Sequence, residues 1–211
     1  MSAVIDLDDL VELVSQRGAE VRSITAIAGA PGSGKSTLAE KLVERLNGEE
    51  PGSAAVLPMD GYHYDDWLLV PRGWRPRKGA PHTFDVAGFA HMLMRLRENA
   101  EGDIAVPVFD RDLEIARSGA RMIPDSVRHL VVEGNYLLLA AAPWSSLHGL
   151  FDTTVMIEVA EAELKARLLK RWERYGYAAA EAMTKAEDND LPNGRVVMSQ
   201  SIAPEVVYQS L

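Results

Sequence analysis

Residues 29–36 read GAPGSGKS, directly after the apolar stretch SITAIA at 23–28, and the final serine opens the run STLAEKLVERL. This feature constrains the fold most. Gly29, Ala30, Pro31, Gly32, Ser33, Gly34, Lys35 and Ser36, with Thr37 next, fit the phosphate-loop pattern G-x-x-x-x-G-K-[ST] at every specified position. SITAIA is short, apolar and ended by glycine, which predicts a buried strand. In the following run Leu38, Leu42, Val43 and Leu46 share one helical face, and Asn47-Gly48 reads as the stop. Phosphate oxygens have to be met by several backbone N–H groups at once, which requires close approach and dihedrals that glycine adopts without penalty. The helix start adds free N–H groups and a positive dipole end. Lys35, expected at a solvent-facing loop edge, places a charge on the β- and γ-phosphates, and Ser36 offers a hydroxyl to Mg²⁺. An incidental Gly-rich turn would lack either the full motif or the strand-to-helix context. The expectation is a site for the phosphates of a nucleoside triphosphate.

The remainder alternates strands with helices. A helix is predicted at 6–17, strands at 54–59, 129–134, 153–159 and 204–209, and a helix carrying Val86, Phe89, Met92, Leu93 and Leu96. Residues 104–109 and 119–123 read as a hairpin, and 161–188 as a charged helical region broken near Tyr175-Gly176. Residues 60–84 form a long Gly-, Pro- and aromatic-rich segment without periodicity, a type of loop that is usually functional. The fold class is α/β, an open, mostly parallel sheet of about five strands flanked by helices. With 211 residues and no internal repeat or long linker, one domain spanning 1–211 is expected. A formal charge of −9 argues against nucleic acid and anionic membranes as partners. The absence of cysteine excludes a disulfide framework and thiolate metal sites. Acids near the N-terminus, and no apolar run of bilayer length, lead to the expectation of a cytoplasmic protein.

The kind of nucleotide user has to be read elsewhere. There is no N-K-x-D guanine signature and no LSGGQ, and the strand at 129–134 ends in VVEG where a motor ATPase would carry an acidic pair. Asp60 closes a strand at the carboxyl edge, where open α/β sheets bind ligands. There it can take the proton of an attacking hydroxyl, or simply make a turn with Gly61. Arg167, Arg171 and Arg174 share a helix face, fitting either a lid that meets developing phosphate charge or a solvated face paired with Glu163. Asp85 precedes a helix and reads as an N-cap. Tyr62, His63 and His82 lie in the long segment as candidate pocket residues, while Trp67, Trp74 and Trp144 read as packing.

GAPGSGKST, PMDGYHYDD, RKGAPHTFDV, VPVFDR and LVVEGNYLLL, in that order, resemble the uridine kinase, phosphoribulokinase and bacterial pantothenate kinase superfamily. Within it the chain most resembles the branch labelled nucleoside/nucleotide kinase-like or fructose-transport-system kinase. The resemblance runs from residue 23 onward and implies the P-loop NTPase fold with a small lid at about 161–188 and an acceptor-binding insertion. It implies a Mg·ATP-dependent kinase acting on a hydroxyl of a small molecule, with homodimers common among such enzymes. By the same resemblance Asp60 is the catalytic acid–base group, Glu133 helps Ser36 hold the metal, and Asp85 and Arg111 meet the acceptor. Arg171 and Arg167 are the lid arginines, and Asn193 and Arg195 approach the adenine. Asp85 as a hydroxyl-binding group favours a sugar or nucleoside over a pantothenate-like acid. The rival is a regulatory or chaperone-like NTPase with no small-molecule acceptor, against which the long segment behind Asp60 argues.

Overall fold

The computed structural model describes residues 2–18 and 21–209. The chain runs β1 (Ala3–Ile5), α1 (Leu7–Arg17), β2 (Ser23–Gly29), α2 (Lys35–Glu49), β3 (Ala54–Pro58), the short α3 (Asp66–Leu69), α4 (Val86–Glu98), β4 (Ile104–Asp110), β5 (Ile115–Ile123), β6 (His129–Gly134), β7 (Thr153–Ile157), α5 (Glu161–Arg174), α6 (Ala179–Lys185), α7 (Leu191–Gln200) and β8 (Val206–Tyr208). The main sheet has 6 strands in the order β1-β8-β7-β2-β6-β3, all parallel, and β4 with β5 forms a separate antiparallel hairpin. Every residue of β2 and of β6 is buried, because helices cover both faces. On one face α1 and α2 pack on Ile27, Val131 and Val155. On the other, α4 and the hairpin meet Ile24, Ala26, Leu130 and Val132. No described helix is long and apolar enough to cross a membrane.

Several elements depart from expectation for identifiable reasons. The sheet gains β1, three residues that pair with β8; Ile5, read into the helical pattern, belongs to this strand. Asp6 then caps α1, its carboxylate accepting from the Asp8 and Asp9 amides. The α2 helix runs through Asn47-Gly48 to Glu49. Asn47 instead exchanges hydrogen bonds with the Ala54 backbone, at 3.1 and 2.9 Å, and so clips the helix to β3. The hairpin is longer than expected because β5 starts at Ile115. The strands predicted at 54–59 and 153–159 end earlier, at Pro58 and Ile157. After the break at Tyr175-Gly176 helix resumes in α6, passes through a π-helical turn at Ala186–Asp190 and continues as α7. Trp144 is buried as expected, but Trp67 is 93% exposed and packs on nothing that would explain it.

Arg22, at the entry to β2, is buried and donates to the carbonyl oxygens of Val127 (2.6 Å), Leu96 (2.9 Å), Pro124 (2.8 Å) and Asp125 (3.2 Å). It ties α4 and the end of the hairpin to the sheet. Arg22→Leu would leave those carbonyls without a donor in a dry site, and should lower the unfolding free energy by about 3 kcal/mol. Urea unfolding measures this, and a loss under about 1 kcal/mol would contradict it.

Candidate active site

The phosphate loop joins the central strand to α2. Gly34, at the helix N-cap, has φ 98° and Gly32 has φ 80°, left-handed conformations that a side chain would strain. A Cβ at Gly32 would also lie 3.2 Å from Leu168 of α5, so the loop sits hard against the lid helix. Ala30, Leu164, Leu168, Ala186 and Leu191 form a small apolar cluster that holds lid and loop together. Lys35 is buried, not at a solvent-facing edge, and its Nζ donates to Ala30 O at 3.0 Å. Burial lowers its pKa, while the charges of Glu133 and Asp60 oppose that.

Two carboxylates arrive from neighbouring strands. The register pairs Glu133 of β6 with Ile27 of β2 on one side and Pro58 of β3 on the other, and Asp60 follows just past β3. Ser36 Oγ donates to Glu133 Oε1 at 3.2 Å. Burial and the charge of Asp60 push the Glu133 pKa up. For Asp60 burial acts in the same direction but is outweighed by His63, Arg111, Lys35 and Arg171, which hold it below the usual carboxylate range. Arg111 Nη2 pairs with Asp60 Oδ2 at 2.8 Å. His63 donates from Nδ1 to Asp60 O at 2.8 Å, and burial pushes its pKa down against the opposing pull of Asp60.

The hairpin turn that presents Arg111 is built by Asp110, whose carboxylate accepts from the amides of Asp112 and Leu113 (both 3.1 Å) and from Arg117 Nε at 2.7 Å. Glu114 closes the turn at φ 58°, a conformation costing about 1 kcal/mol for a residue with a side chain.

A cleft of about 440 Å³ opens between the phosphate loop, the ends of β3 and β6, the hairpin turn and the lid. Of the residues singled out from sequence it brings together Pro31, Gly32, Gly34, Lys35, Ser36, Thr37, Asp60, His63, Arg111, Glu133, Arg167, Arg171 and Asn193. Arg171 has no ion pair among the described residues and lies 5.8 Å from the ring centroids of Trp172 and Tyr175. Arg167 serves both expectations: it pairs with Glu163 at 2.7 Å and donates to Ser33 O of the loop at 3.4 Å.

Outside the phosphate loop, four candidates do not line the cleft. Asp85 is held at the N-terminus of α4, accepting from Gly88 N at 2.9 Å. Tyr62 is buried against Phe89, with ring centroids 4.6 Å apart. His82 stands edge-on to Trp74 at 5.2 Å. Arg195 faces outward and pairs with Glu161, because α7 turns Asn193 and Gly194 toward the loop instead. Sequence reasoning missed Lys78, Asn135, Trp172, Asn189 and Asp190, which also line the cleft. Trp172 Nε1 donates to Asp190 Oδ2 at 2.7 Å, and burial pushes the Asp190 pKa up. Lys78 stood inside the RKGAPH segment; no periodicity or spacing marks the others.

Ser36 and Glu133 suit a hard cation. The buried carboxylate is disfavoured as an anion by its surroundings and the hydroxyl oxygen lies beside it, an oxygen-only set. No group of three or more His, Cys, Asp or Glu among the described residues could hold a metal alone. Mg²⁺ needs only one or two protein oxygens, with water and phosphate completing its shell.

No family profile matches the chain. It is 33% identical over 198 residues to a Schizosaccharomyces pombe protein provisionally named a uridine kinase, covering 90% of this chain and 84% of that one. It is 30% identical to the pantothenate kinase of Listeria innocua over 168 residues, 77% of this chain and 53% of the relative. A Silicibacter sp. TM1040 crystal structure, provisionally called a fructose transport system kinase, superposes with TM-score 0.89 at 39% identity, over 96% of this chain and 98% of that one. The chain therefore belongs to the superfamily of P-loop kinases related to uridine kinase and pantothenate kinase, phosphotransferases with hydroxyl acceptors.

Lys35→Ala should lower ATP affinity at least about tenfold in calorimetry, the weight of a lost charge-assisted phosphate contact, while near-native circular dichroism is retained. Unchanged affinity would count against the loop as a nucleotide site.

Proposed function

We propose that this P-loop kinase transfers the γ-phosphoryl group of Mg·ATP to a hydroxyl of a small molecule, with Asp60 receiving the hydroxyl proton. The observation carrying this reading is the position of Asp60: at the carboxyl edge of the sheet, in one cleft with Lys35 and Glu133, and held ionised by its cationic neighbours. A kept negative charge suits a group that orients a hydroxyl and takes its proton.

In the reaction the acceptor oxygen bonds to the γ-phosphorus, the bond to the β–γ bridging oxygen breaks, ADP departs and the proton passes to Asp60. The loop amides and Lys35 hold the phosphates, and Ser36, with Glu133 through water, would hold Mg²⁺. That ion, when bound, supplies neutralisation of charge across the β- and γ-oxygens. Arg171, without an ion pair among the described residues, is the group free to meet charge on the transferring phosphoryl, with Arg167 in the same cleft. Arg111 holds Asp60 in place and faces the acceptor. With Asp85 engaged at α4, the argument for vicinal hydroxyls of a sugar or nucleoside falls away, and the acceptor class has to rest on other groups.

Asp60→Asn should reduce kcat at least about a hundredfold with little change in ATP affinity. Because the Asp60 pKa is depressed, the acidic limb of the kcat profile should lie below the usual carboxylate range, and kcat should be flat through neutral pH. A limb above the carboxylate range but below the usual histidine value would transfer the role to His63, whose pKa burial lowers. Arg171→Ala should cost on the order of a thousandfold in kcat, with Arg171→Lys recovering part of it, since an ammonium cannot reproduce two parallel hydrogen bonds. An unaltered kcat in Arg171→Ala would remove Arg171 from the reaction.

A further inference from the structure

The acceptor half of the cleft carries cations that the phosphate side does not use. Lys35 and Arg167 stand at the loop, and Arg171 is assigned to the transferring group. Lys78, Arg111 and Arg174 remain. Lys78 is paired with Asp66 and Arg111 with Asp60.

Lys78 is the least expected of these. Its side chain is 5% exposed, yet it lines the cleft beside His63 and Phe109. The ammonium donates to Asp66 Oδ1 at 2.7 Å and to Glu114 O, and lies 5.6 Å from the Phe109 centroid. An ammonium has three donors, and these bonds use two. Its backbone is fixed from both sides, by Asn189 Nδ2 donating to Lys78 O at 3.2 Å and by Tyr136 donating to Gly79 O at 2.6 Å. Burying a cation costs free energy, and a flexible lysine held this firmly at the wall of a polar cleft implies use of its remaining donor. Arg174, at the rim, has no ion pair among the described residues, and Arg111 spends one nitrogen on Asp60. Among the described residues that line the cleft, Glu114 alone has a carboxylate without a hydrogen bond or ion pair, one acceptor group for the hydroxyls of a neutral polyol.

We propose that the acceptor carries an anionic group, a carboxylate or a phosphate, apart from its reacting hydroxyl, and that Lys78 with Arg174 binds it while the hydroxyl lies at Asp60. The proposal rests on the kinase reading, and binding and turnover are measured separately so that the two can fail separately.

Matched pairs are offered to the full chain: glycerol and glycerate, ribose and ribose 5-phosphate, pantothenyl alcohol and pantothenate. Binding is read by calorimetry with the phosphate loop saturated by a non-hydrolysable ATP analogue and Mg²⁺, and turnover by ADP release. The charged member of at least one pair should bind and react at least about tenfold better than its neutral partner, and whether carboxylate or phosphate is preferred identifies the group. Lys78→Gln should raise the acceptor KM about tenfold with kcat and the ATP KM little changed. Arg174→Gln, at an exposed position with no packing role, should shift the same KM in the same direction if Lys78→Gln does not fold. A charged compound that binds through Lys78 or Arg174 but is not phosphorylated would keep the anionic site and overturn the kinase reading. A neutral member that reacts as well as its acid, no binding by any charged member, or a Lys78→Gln variant with unchanged acceptor KM would overturn the proposal.

Discussion

Uncharged backbone amides hold a polyanion only where the chain leaves several of them unpaired at one point, and the β2–α2 turn is that point. Its geometry is imposed from outside as well as by its glycines. β2 is the interior strand of a sheet buried on both faces, paired with β7 and β6, so the end of the strand cannot shift. The lid helix closes on Gly32 from one side, and α7 brings Gly194 against Ala30 from another, a Cβ there meeting Ala30 Cβ at 3.2 Å. Because the sheet is wholly parallel, the strands that flank β2 end on the same edge. That is why Glu133 and, one strand further, Asp60 reach the loop without any long-range device.

The two carboxylates then part in character through their neighbours. Glu133 lies deepest, and burial together with the charge of Asp60 disfavours its ionised form. Asp60 is surrounded by His63, Arg111, Lys35 and Arg171 and keeps its charge. A group that welcomes a cation and a group that stays anionic without one therefore sit side by side, a division that fits metal holding and proton acceptance respectively.

What could be read from sequence follows from how local each cause is. The phosphate loop is local in sequence, so Gly29 to Thr37 were legible in full, and the buried strands were legible from continuous apolar runs. Asp60 and Glu133 were legible because each ends such a run. β1 was not, since three residues carry no period and take their strand form from pairing with β8. Asp85 was legible as a cap, which Gly88 N donating to its Oδ1 bears out, whereas the acceptor role implied by the resemblance has no cleft position to support it. Arg195 was misread because helicity extends through 191–200, so two residues past Asn193 the side chain points to solvent. Lys78 stood inside the RKGAPH segment but carried no signal of its own; its position is set by Asp66, Phe109 and Glu114 converging from other parts of the chain.

The tail serves the cleft through a set of side-chain hydrogen bonds. Asn193 is buried and accepts from Arg77 Nη2 at 3.1 Å while donating to Asn189 Oδ1 at 3.3 Å. Arg77 also donates to Asp188 O at 2.6 Å, and Asn189 to Lys78 O. On its other side the same π-helical turn holds Trp172 of the lid through Asp190. The extra residue of a π turn changes the facing of successive side chains, so Asn189 can point to the acceptor insertion while Asp190 points to the lid. The turn is thus a buckle between the segment that carries Lys78 and the helix that carries Arg171. The two are joined through hydrogen bonds that are, apart from the exposed one to Asp188, partly buried. The segment of Lys78 and the helix of Arg171 are in this way joined through the π turn, while Ala30, Leu164 and Leu168 join the same helix to the phosphate loop.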